Sequence, residues 1–315
     1  MPLLLHAWSL RRELLGGKLT PADLPGLAAD EEFNGIEWLD RLLPSYDHAL
    51  WQALGRASVA AGLGPGALSI SLRLGAPATL LAEQLDRAKR MLGQCADLGV
   101  DRVRISLGGG PRPSRGRLLD RLETLRPADD RAARPLGGLV RLAYVLHARL
   151  GRPGSPAPGP LLPRADAITL QRAAWALQPL ARQARDLGLG LNIENHWGLT
   201  THPEDLLALI ELAWQTGLEA RDGRGAPLGV CLDTGNWHPR LDPAAAAGQL
   251  AAKVGMVHFK LYGVDEAGLP RGLAGQLAAL RAAGYEGGFS LEYEGPGAGI
   301  AGVRAGAALF RSLWA

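Results

Sequence analysis

Eight short strand-like runs alternate with stretches of helical length along this chain, and that alternation limits the folds open to it more than any other feature. The runs fall at 3–8, 34–39, 67–72, 101–107, 189–194, 228–233, 254–260 and 287–292. The stretches between them are amphipathic, as at 77–98 and 169–187, and several stop at a glycine suited to a left-handed terminating residue, Gly99 and Gly188 among them. Strands separated by helices pair in parallel, and eight is the number that closes a (β/α)8 barrel. A doubly wound open sheet would place a glycine-rich phosphate turn after its first strand. This chain has HAWSLRRELLGG there instead. The expected fold is therefore α/β, a (β/α)8 TIM barrel occupying residues 1–315 as one domain.

One stretch breaks the rhythm. Residues 108–168 open on Gly108-Gly109-Gly110, are rich in Pro and Arg, and fall between the fourth strand and the fourth helix, on the face where barrel loops build active sites. The sequence predicts a partly helical lid, with one helix near 136–150 and irregular chain at 151–164. The formal net charge of the whole chain is +3, yet residues 111–164 hold eleven arginines against four acidic residues. Such a segment is either a solvated insertion or an electropositive cover that draws anionic or polyhydroxylated ligands. The two cysteines, Cys95 and Cys231, lie far apart with no framework spacing and read as reduced thiols of a cytoplasmic protein. The N-terminal apolar run is too short for a signal peptide, and no run reaches the ~18 apolar residues of a membrane helix, so no membrane partner is expected.

The last four strand-like runs each end in a side chain able to bind a metal: Glu194, Asp233, His258 and Glu292. Alternate residues of a strand face the same side. If Glu194 points into the barrel, Asn192 does too; Cys231 follows Asp233, Met256 and Lys260 follow His258, and Ser290 and Glu294 follow Glu292. Four successive strands would then aim three carboxylates and one imidazole at one point. Unpaired, those carboxylates would repel one another and take up protons, and a cation resolves the conflict. A hard, mixed O/N donor set suits one divalent ion, Mn²⁺, Mg²⁺ or Co²⁺, with Zn²⁺ a further candidate.

The strings IENHWG, CLDTGNWH, MVHFK and FSLEYEG, with NGIEWLD earlier, resemble the xylose isomerase-like barrel superfamily of sugar isomerases and epimerases. The resemblance spans nearly the whole chain, with 108–168 the least typical part. It implies the barrel, one divalent ion held by Glu194, Asp233, His258 and Glu292, and, as in the ketose epimerases, Glu194 and Glu292 acting also as acid and base. Two departures stand out. Where those epimerases commonly carry a substrate-contacting His three residues after the Asp ligand, this chain has Asn236, with His238 two further on. The additional His and Asp ligands of the three-zinc DNA-repair endonuclease branch are missing, which argues against a nucleic-acid partner.

The chemistry that follows is proton transfer beside a carbonyl, through an enediolate that a metal stabilises. Return of the proton to the opposite face gives an epimerase, transfer to the neighbouring carbon an aldose–ketose isomerase, and loss of a β-hydroxyl an inosose-type dehydratase. The substrate expected is a small sugar or cyclitol. His196, Trp197, Asn236, His238, Lys260, Arg104, Glu37, His6 and Trp8 are candidates for the pocket wall, with an Arg104–Glu37 pair as the structural alternative for those two. Readings from other classes are an abasic-site endonuclease relative using the Arg-rich insertion, and a non-catalytic sugar-binding barrel. Trp175, Trp214 and Trp314 in or near helical stretches would mark a homo-oligomer interface if exposed, with core packing an equal explanation.

Overall fold

The computed structural model describes residues 1–43, 47–74, 76–107, 161, 163–215, 228–296 and 299–314. Nearly all of the Arg-rich insertion, including the helix expected near 136–150 and the proposed lid, lies outside the described residues, as does the side chain of Trp214. Eight strands form a closed parallel barrel in chain order. They are β1 (Leu3–His6), β2 (Gly35–Leu39), β3 (Gly66–Ser71), β4 (Val100–Ser106), β5 (Gly190–Glu194), β6 (Leu228–Asp233), β7 (Val254–Leu261) and β8 (Gly288–Tyr293). Every expected strand is present, with ends shifted by at most two residues. β1 pairs with both β2 and β8, which closes the ring.

Two faces of each strand are buried in different company. Residues of one parity point outward to the helices, and Trp38, Phe259 and Phe289 are fully buried there. Phe310 of the helix Gly299–Trp314 meets Phe259 and Phe289 with ring centroids 5.3 and 4.9 Å apart. Residues of the other parity fill the barrel. Leu4, Ala67, Cys231 and Met256 form a separate small apolar cluster there. Such layers make a packed core rather than a pore. Below them Asn192 crosses to β6 and β7, and a Cβ on Gly255 would come within 2.2 Å of Asn192 Oδ1, so only glycine leaves room for the amide. At the N-terminal mouth a recess of about 390 Å³ is lined by Arg102, Asn192 and Lys253 among others, at the opposite end of the barrel from the strand termini that carry the acids.

Helices cover the outside. Ala167–Asp186 is the longest among the described residues, with Trp175 exposed on its surface. The helix expected at 77–98 is two pieces, Ala78–Gly93 and Cys95–Leu98, separated at Gln94. Gly99 then takes φ +68°, a left-handed value that an L side chain resists, and turns the chain into β4. Both cysteines are buried and free. Among the described residues no helix is long and apolar enough to cross a membrane.

Candidate metal centre

The C-terminal ends of β5 to β8 bring Glu194, Asp233, His258 and Glu292 together. One donor atom from each lies within 4.8 Å of every other, and all four residues are buried. Register explains the convergence. Asp233 stands beside His258 and Lys260 beside Glu292 along the ladder, with Glu194 beside Cys231.

Three of the four side chains, Glu194, Asp233 and His258, are aimed by a hydrogen bond at the other atom. Arg104 on β4 donates to Glu194 Oε2. The Gly235 and Asn236 amides donate to Asp233 Oδ1 at 2.7 and 3.0 Å. Glu37 on β2 lies 3.0 Å from His258 Nε2. The atoms left over are Glu194 Oε1, Asp233 Oδ2, His258 Nδ1 and Glu292 Oε2. All four are buried, and none has a hydrogen-bond partner among the described residues. Around His258 Nδ1 the spacings are 3.2 Å to Glu194 Oε1, 3.8 Å to Asp233 Oδ2 and 3.4 Å to Glu292 Oε2. Three oxygens and one imidazole nitrogen converge on one point, with the Lys260 ammonium beside two of the oxygens, and this donor set fits a divalent cation. The further donor groups of this kind, His6–His258–Glu292 and Glu194–Cys231–His258, share His258 with the first, so the described residues assemble one centre.

Two cations flank it. Lys260 Nζ is buried, 3.0 Å from Asp233 Oδ2, 3.5 Å from Glu292 Oε2 and 3.0 Å from Asn236 Oδ1. Its stem passes over Gly235, where a Cβ would lie 2.8 Å from both Lys260 Cδ and the Tyr262 hydroxyl. Burial alone would push the Glu194 carboxyl up, but Arg104, then His196 and His258, hold it below the ordinary range. Glu292 is held well down against its burial, chiefly by Lys260. The two glutamates are thus kept ionised, as ligands and proton acceptors must be.

The remaining candidates fall into three places. His196 is half-buried after β5, its Nδ1 without a hydrogen-bond partner among the described residues, and burial pushes its imidazole down to about 4, so it is neutral near pH 7. Trp197 beside it is half-buried. Asn236 joins Lys260, whereas His238 is buried in the same loop with its Nδ1 accepting from the Arg240 amide. On the β1 side, His6 lies beside Glu37 and His258.

Two expectations need correction. Arg104 pairs with Glu194 and not with Glu37, whose neighbours are His6, Ser69 and His258. Trp8 does not end a strand. The turn Ala7–Leu10 begins after His6 because His6 Nδ1 takes the Trp8 amide at 3.0 Å, and the indole N–H then reaches Glu294 Oε1 at 2.9 Å.

Asn195 and Ser69 were missed. Asn195 clamps β5 to β6, donating to the Asp233 carbonyl at 2.9 Å and accepting its amide at 2.7 Å. Its position directly after Glu194 was the available signal. Ser69 donates to Glu37 at 2.5 Å, and its parity with Ala67 already placed it inside the barrel.

Residues 25–313 match the family model described as xylose isomerase-like TIM barrel. Among solved structures, an L-ribulose 3-epimerase is similar with TM-score 0.66 and 18% identity, over 99% of this chain and 94% of that one. A probable 3-DHS dehydratase, AsbF, involved in petrobactin synthesis in Bacillus anthracis, gives 0.62 and 14%, over 99% and 99%. The IOLI protein with a bound zinc atom gives 0.62 and 14%, over 100% and 96%. At these identities the likeness is one of fold. A search of curated proteins found no match.

Proposed function

The chain belongs to the xylose isomerase-like TIM barrel family, and from that premise we propose that it is a divalent-metal-dependent sugar isomerase or epimerase. The observation that carries the proposal is the set of four buried, converging donor atoms on β5 to β8. Structural neighbours that include epimerases of ribulose and psicose support the reaction class.

Glu194, Asp233, His258 and Glu292 would hold the ion. A divalent cation there supplies a Lewis acid that polarises a carbonyl and offsets the charge of an enediolate. Glu194 and Glu292, both held ionised, are the groups to take a proton from the carbon beside the carbonyl and return it. Lys260 places a buried ammonium beside Asp233 and Glu292, suited to the developing oxyanion. His196, neutral and with an unbonded Nδ1, offers a hydrogen bond to a sugar hydroxyl. Trp197, His238, His6 and Trp8 would complete the walls.

A second reading keeps the same centre. An ammonium beside the ligands could protonate a departing β-hydroxyl, which would make the enzyme a dehydratase of a sugar or cyclitol, in line with the AsbF-like fold. One experiment separates the readings. The metal-loaded protein is incubated in deuterium oxide with a panel of ketoses, aldoses and inososes, and products are read by NMR. Deuterium entering a sugar without loss of water supports isomerase or epimerase; formation of a dehydrated product supports the dehydratase. No exchange and no product on any member rejects both.

A further inference from the structure

We propose that Glu37 is a positioning residue of the metal centre, fixing by one carboxylate oxygen which nitrogen of His258 faces the ion. The inference rests on the four-ligand reading above and concerns a residue that reading leaves outside the ligand set.

Glu37 is fully buried at the middle of β2. Its Oε1 is 2.5 Å from Ser69 Oγ, 3.0 Å from His258 Nε2 and 3.4 Å from His6 Nε2. A serine hydroxyl can give its proton to that oxygen, and the carboxylate itself can only accept. His258 therefore carries a proton on Nε2. That leaves Nδ1 as the nitrogen turned toward Glu194, Asp233 and Glu292, the orientation an imidazole ligand requires.

The other imidazole is fixed from the opposite end. His6 Nδ1 accepts the Trp8 amide, so a neutral His6 carries its proton on Nε2, toward Glu37 Oε1. The two rings meet edge to face with centroids 5.0 Å apart. Glu37 thus sits between two histidines whose outer nitrogens are already committed, one to a backbone amide and one to the centre. A substrate contact is a poor alternative for this residue, because it has no exposed surface and its nearer oxygen already faces three donors.

A ligand imidazole that loses its partner can rotate or change tautomer, and loss of such partners lowers metal affinity by about 10–100-fold. The test uses zinc-loaded protein labelled with ¹⁵N-histidine, read by long-range ¹H–¹⁵N correlation, together with chelator competition for zinc in the wild type, Glu37→Leu and Glu37→Gln. The expected wild-type spectrum has His258 protonated at Nε2 and bound through Nδ1. Glu37→Leu should lose about 10–100-fold in affinity. Glu37→Gln, which retains an acceptor oxygen, should recover most of that loss and keep the Nε2–H signal.

A wild-type His258 bound through Nε2 would overturn the proposal without recourse to any variant, which covers the case of a Glu37→Leu protein that does not fold. Affinity in Glu37→Leu within twofold of wild type would overturn it as well. Both outcomes leave the metal centre standing. Failure of the wild type to take up zinc or any other divalent ion would instead reject the centre, and this inference with it.

Discussion

Replacing Arg104 by methionine tests the electrostatics of the site in isolation. The methionine keeps most of the stem volume and removes the guanidinium that holds Glu194 Oε2. Glu194 has no exposed surface, so its carboxylate would be left buried and short of its main counter-charge. Breaking a buried pair on one side costs about 3–5 kcal/mol. With metal stripped by a chelator, His258 stands 3.2 Å from Glu194 Oε1 and can take up a proton in partial compensation. The expected loss is therefore at the lower end, about 3 kcal/mol at pH 7.5.

The pH dependence carries the sharper test. In the wild type the Glu194 carboxyl lies below its unfolded value, so its contribution is complete above about pH 4.3 and is lost as pH falls further. In the variant burial dominates and lifts the carboxyl above that value, so the folded state gains relative stability as pH falls. The gap between the two proteins should be widest at pH 7.5 and narrow toward pH 4.5. Urea unfolding followed by circular dichroism, in chelator, measures both points. A gap under about 1 kcal/mol at pH 7.5, or one unchanged at pH 4.5, would refute this account of how Glu194 is kept ionised.

Gly255→Ala should cost about 1–3 kcal/mol, because the new methyl would lie 2.2 Å from Asn192 Oδ1; adding Asn192→Ala should recover much of it, and a neutral single variant in thermal unfolding would contradict the packing described for the barrel floor. Cys95 and Cys231 are buried and their thiols are pushed up to about 12, chiefly by that burial, so neither should react with a disulfide reagent in the native protein while both react in denaturant. Rapid labelling of either under native conditions would contradict the burial of that residue. Trp8→Phe removes the indole bond to Glu294 and should cost about 1 kcal/mol by urea unfolding, with no change in metal content; a loss of bound metal would mean that the turn supports the centre more directly than its hydrogen bonds indicate.

The barrel was legible because strands buried on both faces read as continuous apolar runs, and the site because Glu194, Asp233, His258 and Glu292 each stand at or near the end of such a run. What escaped depended on bonds that periodicity does not report. A side chain taking a backbone amide, His6 to Trp8, ended β1 two residues early. The partner of Arg104 was decided by register, which places Arg104 beside Asn192 and so one pleat below Glu194. Ser69 has the pattern of any serine in a strand, and its role depends on Glu37 standing between two imidazoles, which a sequence does not report. Asn195 carries no signal of its own beside the carboxylate of Glu194, because its amide ties β5 to β6 through the backbone of Asp233.

The central claim is that these four strand ends hold one divalent ion. Elemental analysis of the purified protein after loading with Mn²⁺, Co²⁺ or Zn²⁺ and removal of excess, beside a Glu194→Gln, Glu292→Gln double variant that remains folded by circular dichroism, tests it most directly. The account predicts about one ion per chain in the wild type and loss of that ion in the variant. No bound ion in the wild type, or an undiminished one in the variant, would contradict it.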